Sequence, residues 1–400
     1  MHSHLVGEIT LLLMIACAVS IIVEWLKQPY TIALVVVGLV IAILRLTPHV
    51  IITHDVIFTI ILPPLLFHGA LHMDLEHLKE NWRSIILLAF PGVVITTLLI
   101  GIIAHYLLDI PFVYAMLFGA IVSPTDPISV LSILGRVGAP KRLRTILEGE
   151  SLFNDGTGVV VFMIILEMIS QHAHFDLSHA LTKFLLVTGG GTIIGIAVGI
   201  GAYHLLKRLD NHLLEVAITI VITFGTPLLA EAFHFSGIIA IVVAGLIVGN
   251  YGKIYSMSNK TRETLDTFWE VIEFVINSIL FLIIGIELQV IPLERFIELC
   301  VPLAISILAV NAARALVVYP VIWLRNKIGS RDIPWKWKHV LFWGGLKGSI
   351  SIALVVGLPA QMPYREMFLV LAFGVVLFTL IVQGLTIKPL VQALNLNENT

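Results

Sequence analysis

Charged residues are scarce in this 400-residue chain, where Asp, Glu, Lys and Arg together make up 12% of the sequence. An ordinary soluble domain carries about 25% charged residues, whereas 58% of the residues in this chain are hydrophobic. This composition excludes a soluble globular protein and predicts an integral membrane protein. The formal net charge of −2 argues against a nucleic-acid partner, because such partners require a basic surface.

Cysteine and the common hydrolase motifs are also nearly or wholly absent. Only Cys17 and Cys300 occur, so no disulfide framework is expected. The sequence contains neither the GxSxG pattern of serine hydrolases nor the HExxH pattern of zinc proteases, which argues against a membrane-embedded enzyme. Because the N-terminus lacks the basic segment of a cleaved signal peptide, we expect the first apolar run to be retained as a span.

Apolar runs fill most of the chain, and at about 20 residues per crossing they predict an all-α polytopic protein with thirteen spans. The predicted spans lie near residues 5–25, 30–46, 53–72, 83–107, 112–135, 143–170, 180–207, 212–230, 235–251, 265–290, 296–325, 339–357 and 363–392. This arrangement places 18 of the 24 Lys and Arg residues on one side, four on the other, and Arg314 and Lys347 within spans. Since basic residues collect on the cytoplasmic side, the N-terminus is predicted outside and the C-terminus inside.

Two predicted spans are interrupted near their middle. The fifth contains Ser123-Pro-Thr-Asp-Pro127 and the twelfth contains Gly344-Gly-Leu-Lys-Gly348. Proline removes a backbone donor and clustered glycine lowers the cost of unwinding. Proline and glycine are common in membrane helices, but these two breaks occupy matching positions and each contains a charge. The pattern predicts inverted repeats, spans four to six and eleven to thirteen, of the kind found in secondary transporters.

Acidic residues cluster in the fifth and sixth spans, where the sequence places Asp126, Glu148, Glu150 and Asp155. A charge at the bilayer centre costs about 2.5–3.5 kcal/mol, so this cluster requires a functional reason. Asp155 lies well inside the sixth span and is the strongest candidate for a carboxylate that binds a cation and a proton in turn. The alternative is that Asp155 forms a hydrogen bond for packing only.

Hydroxyl and carboxylate groups near Asp155 are suited to an alkali cation, because hard oxygen ligands bind Na⁺ better than soft metals. We predict a Na⁺ site formed by Asp155, Asp126, Thr125 and Ser151. Asp126 also fits a cap of the second half-helix, and Ser151 fits a bond to the carbonyl of residue 147. Both alternatives stay open at this stage.

The basic residues inside the spans suggest further partners. Arg314 is a natural partner for Glu150 in a structural ion pair, because arginine keeps its charge when buried. Lys347 fits either a role at the half-helix ends or a pair with Glu148 or Glu150. His68 is a possible modulator that senses pH or lines the ion path, because histidine changes charge near neutral pH; a passive interfacial histidine is the alternative.

These motifs together resemble the monovalent cation/proton antiporters of the NhaP-like sodium/hydrogen exchanger type. The resemblance covers essentially the whole chain and rests on Leu62-Pro-Pro-Leu-Leu-Phe67, Ser123-Pro-Thr-Asp-Pro127, Gly149-Glu-Ser-Leu-Phe-Asn-Asp155, Arg314 and Gly345-Leu-Lys-Gly348. It implies a homodimer with the antiporter fold. Core helices at about 83–170 and 296–392 would move against dimerisation helices at about 5–72 and 180–290.

The resemblance also implies individual roles. Asp155 would be the exchanging carboxylate and Glu150 would pair with Arg314. The ion would be surrounded by Thr125, Asp126, Ser151 and Asn154. The Asn154–Asp155 pair, in place of two aspartates, resembles the electroneutral branch of the family. The chain departs from the family pattern at His68, where many relatives carry an acid, and at Lys347, where many carry arginine.

The residues, together with this resemblance, therefore imply an electroneutral Na⁺(Li⁺)/H⁺ antiporter that works by elevator-like alternating access in a prokaryotic inner membrane. Its partners would be lipid and a second copy of the chain, and it would need no cofactor beyond the transported ions. K⁺/H⁺ exchange is the nearest alternative, because the same oxygen ligands serve both cations. A passive cation channel and a cation sensor that does not transport are alternatives from other classes.

Overall fold

The structure is a computed structural model, and it describes residues 2–26, 30–44, 56–171, 177–287, 298–328 and 332–396. These residues form α-helices and short turns, without a strand among them, which confirms the predicted all-α class. The helices are α1 (His2–Leu26), α2 (Tyr30–Ile43), α3 (Leu62–His72), α4 (Leu75–Ala89), α5 (Pro91–Leu108), α6 (Phe112–Val122), α7 (Ile128–Arg136), α8 (Lys141–Ser170), α9 (Leu177–Leu206), α10 (His212–Ala232), α11 (Gly237–Ile247), α12 (Lys253–Tyr255), α13 (Asn259–Glu287), α14 (Cys300–Ile328), α15 (Trp335–Trp343), α16 (Ser349–Val356), α17 (Arg365–Phe378) and α18 (Gly384–Ala393).

Several of these helices join end to end into single crossings. Three π-helical turns make such joints, at Val56–Ile61 before α3, Val248–Gly252 before α12 and Thr379–Gln383 before α18. Three further crossings each consist of two consecutive helices separated by a kink or a break: α4 and α5, α6 and α7, and α15 and α16. Grouped in this way, the described helices give the thirteen crossings that the sequence predicts. Seven of them are helical segments long and apolar enough to cross a membrane by length and composition.

The fourth crossing begins earlier than its hydropathy predicts. α4 starts at Leu75 rather than near residue 83, because Asp74 caps its N-terminus. The Asp74 carboxylate accepts hydrogen bonds from the backbone N–H groups of Glu76 at 2.9 Å and His77 at 3.3 Å. Such caps satisfy backbone donors that have no partner within the helix. The polar first turns of α4 therefore extend the crossing beyond its apolar part.

We expect Asp74→Ala to destabilise the protein by about 1 kcal/mol, the usual effect of losing an N-cap, whereas Asp74→Asn retains an acceptor. Partial burial acts to raise the pKa of Asp74, but the hydrogen bonds from His77 and Glu76 hold this pKa below its ordinary value. The stabilisation from the charged form is therefore present at neutral pH and is lost as the pH falls through the folded-state value. Melting curves of the variants in detergent, recorded at neutral and at acidic pH, check both expectations. Equal curves for Asp74→Ala and Asp74→Asn would contradict the expected loss of the cap.

The described helices pack in two groups, and the prediction that these act as a core and a dimerisation domain stays a prediction. In the first group, α5 packs on α6 and α14, α8 packs on α4 and α6, and α17 packs on α14 and α16. In the second, α2 packs on α13, and α11 packs on α3, α9 and α10. The groups meet through contacts of α8 with α9 and α11 and of α13 with α16. How these groups move relative to one another stays a prediction.

In the second group, α2 and α13 approach each other closely. A Cβ atom on Gly38 would overlap the carbonyl oxygen of Leu282, and one on Gly285 would overlap the carbonyl oxygen of Val35. Small residues allow this backbone contact, which is a common way to associate helices in membranes. The contact fixes α13 beside α2, and α13 in turn contributes to the site described next.

Candidate ion-binding site

Two interrupted crossings meet at their breaks. Residues 123–127 separate α6 from α7, and residues 344–348 separate α15 from α16. The backbone N–H of Asp126 donates a hydrogen bond to the carbonyl of Leu346 at 2.8 Å, which ties one break to the other. A Cβ atom on Gly348 would overlap the carboxylate of Asp126. Glycine at this position therefore allows the two breaks to come together.

Asp126 faces two half-helices at once. Its Oδ1 atom accepts a hydrogen bond from the backbone N–H of Ile128 at 3.0 Å, so it caps the start of α7. Its other oxygen, Oδ2, lies against Gly348 at the start of α16. A carboxylate at the N-termini of two half-helices is favoured by their dipoles. Asp126 therefore caps α7, which is the alternative interpretation that the sequence offered. Its second oxygen, Oδ2, remains at the point where the two breaks meet.

The first break is held by side chains of α8. Asn154 and Thr125 form two hydrogen bonds: Thr125 N–H to Asn154 Oδ1 at 3.1 Å, and Asn154 Nδ2 to Thr125 Oγ1 at 2.6 Å. The Ser151 hydroxyl donates to the carbonyl of Thr125, and not to the carbonyl of residue 147. These contacts satisfy backbone groups that the break leaves free. Ser151 and Asn154 therefore fix the position of Thr125.

A cavity of about 180 Å³ lies at the crossing and is lined by residues of both helix groups. The predicted site residues on its wall are Thr125, Asp126, Ser151, Asp155 and His68. Asp126 and Asp155 are partly exposed in it. Asn154 is buried and lies behind the wall. The structure thus brings the four proposed Na⁺ ligands together on the cavity wall. Asn154 lies behind them and does not line the cavity.

The carboxylate of Asp155 differs from that of Asp126 in its hydrogen bonding. Among the residues that the structure describes, none donates a hydrogen bond to it, although Asp126 and Lys347 act on it electrostatically. A carboxylate without internal donors keeps its oxygens available to a proton or a cation. Hard oxygen ligands, here carboxylates and hydroxyls, match an alkali cation. The arrangement can bind either ion at the same atoms.

Glu150 points away from the cavity and meets Arg314 of α14. Arg314 Nη1 pairs with Glu150 Oε1, and Arg314 Nη2 donates to Glu150 Oε2 at 3.0 Å and to the carbonyl of Leu341 at 2.8 Å. Both side chains are buried. A bidentate pair of this kind is geometrically specific. It ties α8 to α14 and to the end of α15, close to the second break.

Lys347 lies within the second break and is buried. Its Nζ atom donates to the carbonyl of Ser123 at 2.8 Å, where α6 ends, and its backbone N–H donates to Thr379 Oγ1 at 3.0 Å. Of the roles left open by the sequence, the structure favours the half-helix end, because a cation near a helix C-terminus is stabilised by the dipole. Neither Glu148 nor Glu150 forms an ion pair with Lys347 among the described contacts.

Glu273 of α13 is a cavity residue that the sequence reasoning missed. Its Oε2 atom lies 2.9 Å from His68 Nε2, and both residues line the cavity. An acidic residue inside the predicted span 265–290 was the available signal, because intramembrane charges are functional candidates by default. Glu148 of α8, which the sequence offered as a possible partner of Lys347, is partly exposed and lines the same cavity.

The amino-acid sequence of the chain is similar to those of known proteins. The family described as sodium/hydrogen exchanger, transmembrane, matches residues 10–393. The Na⁺/H⁺ antiporter NhaG of Bacillus atrophaeus is 41% identical over 397 residues, which cover 96% of this chain and 74% of that protein. The Na⁺/H⁺ antiporter NhaP of Pseudomonas aeruginosa is 42% identical over 345 residues, covering 84% of this chain and 81% of that protein.

The fold has a counterpart among solved structures. The sodium proton antiporter MjNhaP1 from Methanocaldococcus jannaschii, determined at pH 8, superposes with a TM-score of 0.81 over 97% of this chain and 98% of that chain, at 23% identity. This match confirms the predicted antiporter fold, and the relatives confirm the resemblance read from the motifs. The chain is an integral membrane protein, and it belongs to the sodium/hydrogen exchanger family.

Proposed function

We propose that the protein is a Na⁺/H⁺ antiporter that exchanges one Na⁺ or Li⁺ for one proton at Asp155. The observation that carries the proposal is the position of this carboxylate, which faces a cavity at the crossing of two broken helices without an internal hydrogen-bond donor. The relatives named above, which are Na⁺/H⁺ antiporters, support Na⁺ and H⁺ as the exchanged ions.

Coupling follows from competition at one carboxylate. A proton and a cation each neutralise Asp155, and each must leave before the other binds. An Asp155 with neither ion carries a bare charge, and moving such a charge through the membrane is costly. The site therefore crosses only when it is occupied. The neutral amide of Asn154 adds no second charge, so one monovalent cation balances one proton and the cycle is electroneutral.

Alternating access is proposed to be elevator-like, within a homodimer in the prokaryotic inner membrane. The cavity lies between the two helix groups, with α3 and α13 on one wall and α8 and the two breaks on the other. A movement of the second wall past the first would expose the same carboxylate to the opposite side. The basic residues favour the N-terminus outside and the C-terminus in the cytoplasm.

The test is cation-driven proton movement in proteoliposomes that carry an internal pH dye. We expect Na⁺ and Li⁺ to drive proton movement, K⁺ to drive little, and a clamped membrane potential to leave the rate unchanged. Protein-free liposomes are the control. Equal responses to K⁺ would support the K⁺/H⁺ alternative. Single-channel currents without coupling would indicate a channel, and cation binding without flux would indicate a sensor.

A further inference from the structure

The last turn of α14 contains a buried arginine that has no bonding partner in the described part of the chain. Arg325 is 6% exposed, and its Nε and Nη1 atoms are buried and form no hydrogen bond there. Asp332 attracts it and Arg83 repels it electrostatically, but no ion pair joins Arg325 to Asp332 among the described contacts. A buried charge is costly unless it is paired and hydrogen-bonded. The described residues therefore provide no counter-charge in contact with this guanidinium group.

The turn after α14 ties this arginine to the starts of α8 and α4. The side chain of Asn326 forms two hydrogen bonds with the backbone of Ile333, at 2.9 and 3.0 Å. Arg142, at the start of α8, donates through Nη1 to the carbonyl of Asp332 at 3.0 Å and through Nε to Asn81 Oδ1 of α4 at 2.8 Å. α14 also packs directly on α4 and α15. Three helix ends of the first helix group thus meet on the side that is predicted to be cytoplasmic.

Positive charge dominates this place. The segments 136–144 and 325–338 contain nine basic residues and one acid, Asp332. Arg83 of α4 is exposed and adds a further base, with Glu80 one turn before it. A surface of one sign of charge raises the local concentration of counter-ions. We call Arg83, Arg142 and Arg325 the basic corner, and its charge favours an anion.

Tryptophans place the basic corner at the depth of lipid headgroups. The guanidinium carbon of Arg83 lies 5.7 Å from the ring centroid of Trp82, which is 50% exposed. That of Arg142 lies 5.7 Å from the ring centroid of Trp337. Tryptophan is enriched where a membrane meets water, and basic pockets between helices on the cytoplasmic side bind anionic headgroups. An anion at this depth is therefore the phosphate of a lipid rather than a solute.

We propose that the basic corner binds the phosphate of an anionic phospholipid, with Arg325 as its buried anchor and Arg83 and Arg142 at its rim. Arginine matches phosphate with two parallel, charge-assisted hydrogen bonds. Its long, rotatable stem allows the charged group to turn toward the rim while the stem stays buried. The bound phosphate would supply the counter-charge of Arg325 and hold the ends of α4, α8 and α14 together.

The test measures the apparent melting temperature of purified protein in a neutral detergent, with phosphatidylglycerol, phosphatidylcholine, inorganic phosphate or no addition. Lys327→Gln is the matched control for Arg325→Gln, because Lys327 lies in the same last turn of α14 but is exposed, over the ring of Trp323 at 4.2 Å. We expect phosphatidylglycerol to raise the wild-type value by about 3–5 °C and phosphatidylcholine to leave it unchanged. Arg325→Gln should lose at least about half of this rise, and Lys327→Gln should keep it.

Without lipid, Arg325→Gln should melt at the wild-type temperature or above it, because the substitution removes a buried unpaired charge. An arginine with a purely structural role predicts lower melting temperatures with and without lipid, and that result would overturn the proposal. Native mass spectrometry should show phosphatidylglycerol retained by the wild type and lost from Arg325→Gln.

Three further results would overturn the lipid site. Arg325→Gln could keep the full effect of phosphatidylglycerol, or Lys327→Gln could lose as much of it, which would indicate a general charge effect. Inorganic phosphate could stabilise the wild type as well as the lipid does, which would indicate an adventitious ion only. None of these measurements involves exchange at Asp155, so their outcome is independent of the proposed function.

Discussion

Replacing Asp155 by Asn is expected to abolish Na⁺-driven proton movement, with a loss of at least about 100-fold. An amide neither binds nor releases a proton by titration near neutral pH, and it carries no charge that could neutralise a cation. Losing about 3 kcal/mol of cation binding alone corresponds to a 100-fold loss of affinity. The volume and shape of the side chain are retained, and no hydrogen bond from the described residues to Asp155 is broken. The loss should therefore reflect chemistry rather than unfolding.

A matched control for this variant lies on the same helix. Glu167 of α8 pairs with Lys183 and is 44% exposed, so Glu167→Gln removes a charge far from the crossing. Surface pairs contribute about 0–1 kcal/mol, and exchange should continue in this variant. Both variants should elute alike in size-exclusion chromatography. Wild-type exchange by a folded Asp155→Asn variant would remove Asp155 from the mechanism.

Breaking the Glu150–Arg314 pair should have the largest effect on stability. Arg314→Leu would leave the carboxylate of Glu150 buried without its partner, and such losses cost about 3–5 kcal/mol. Removing both charges, with Glu150→Leu in addition, is expected to recover a large part of that stability, since no unpaired charge then remains. The Leu341 carbonyl loses a donor in both variants, which limits the recovery. Apparent melting temperatures of the detergent-solubilised variants measure this.

The control for the ion pair is the exposed pair at the other end of α8. Lys183→Ala breaks the contact with Glu167, in which the side chains are 30% and 44% exposed, and it should change stability by less than about 1 kcal/mol. If Arg314→Leu were no more destabilising than Lys183→Ala, the buried pair would not be structural. The same conclusion would follow if the variant that combines Arg314→Leu with Glu150→Leu lost as much stability as the two single substitutions added together.

The sequence was sufficient to predict the crossings and the two breaks, because both depend on local composition. Long apolar runs mark the spans whatever their partners, and clustered proline or glycine marks a break within a span. The grouping of Thr125, Asp126, Ser151 and Asp155 also followed, since two residues lie at one break and Ser151 shares a helix face with Asp155. The structure places these four on one cavity wall.

Contacts between distant segments could not be predicted in this way. The sequence left the partner of Lys347 open, and the structure gives it a backbone carbonyl of Ser123 and the hydroxyl of Thr379 at a π-helical turn. The pairing of His68 with Glu273 depends on how α3 packs against α13, which hydropathy does not encode. The start of α4 was misplaced because its first turns are polar and depend on the Asp74 cap.

The most direct test of the account is the number of protons released when Na⁺ binds to purified protein. Calorimetric titrations in two buffers of different ionisation enthalpy give this number without transport. Competition at one carboxylate predicts about one proton released per Na⁺ in the wild type at a pH where Asp155 is protonated, and none for Asp155→Asn. Na⁺ binding without proton release, or unchanged release in Asp155→Asn, would contradict exchange at this residue.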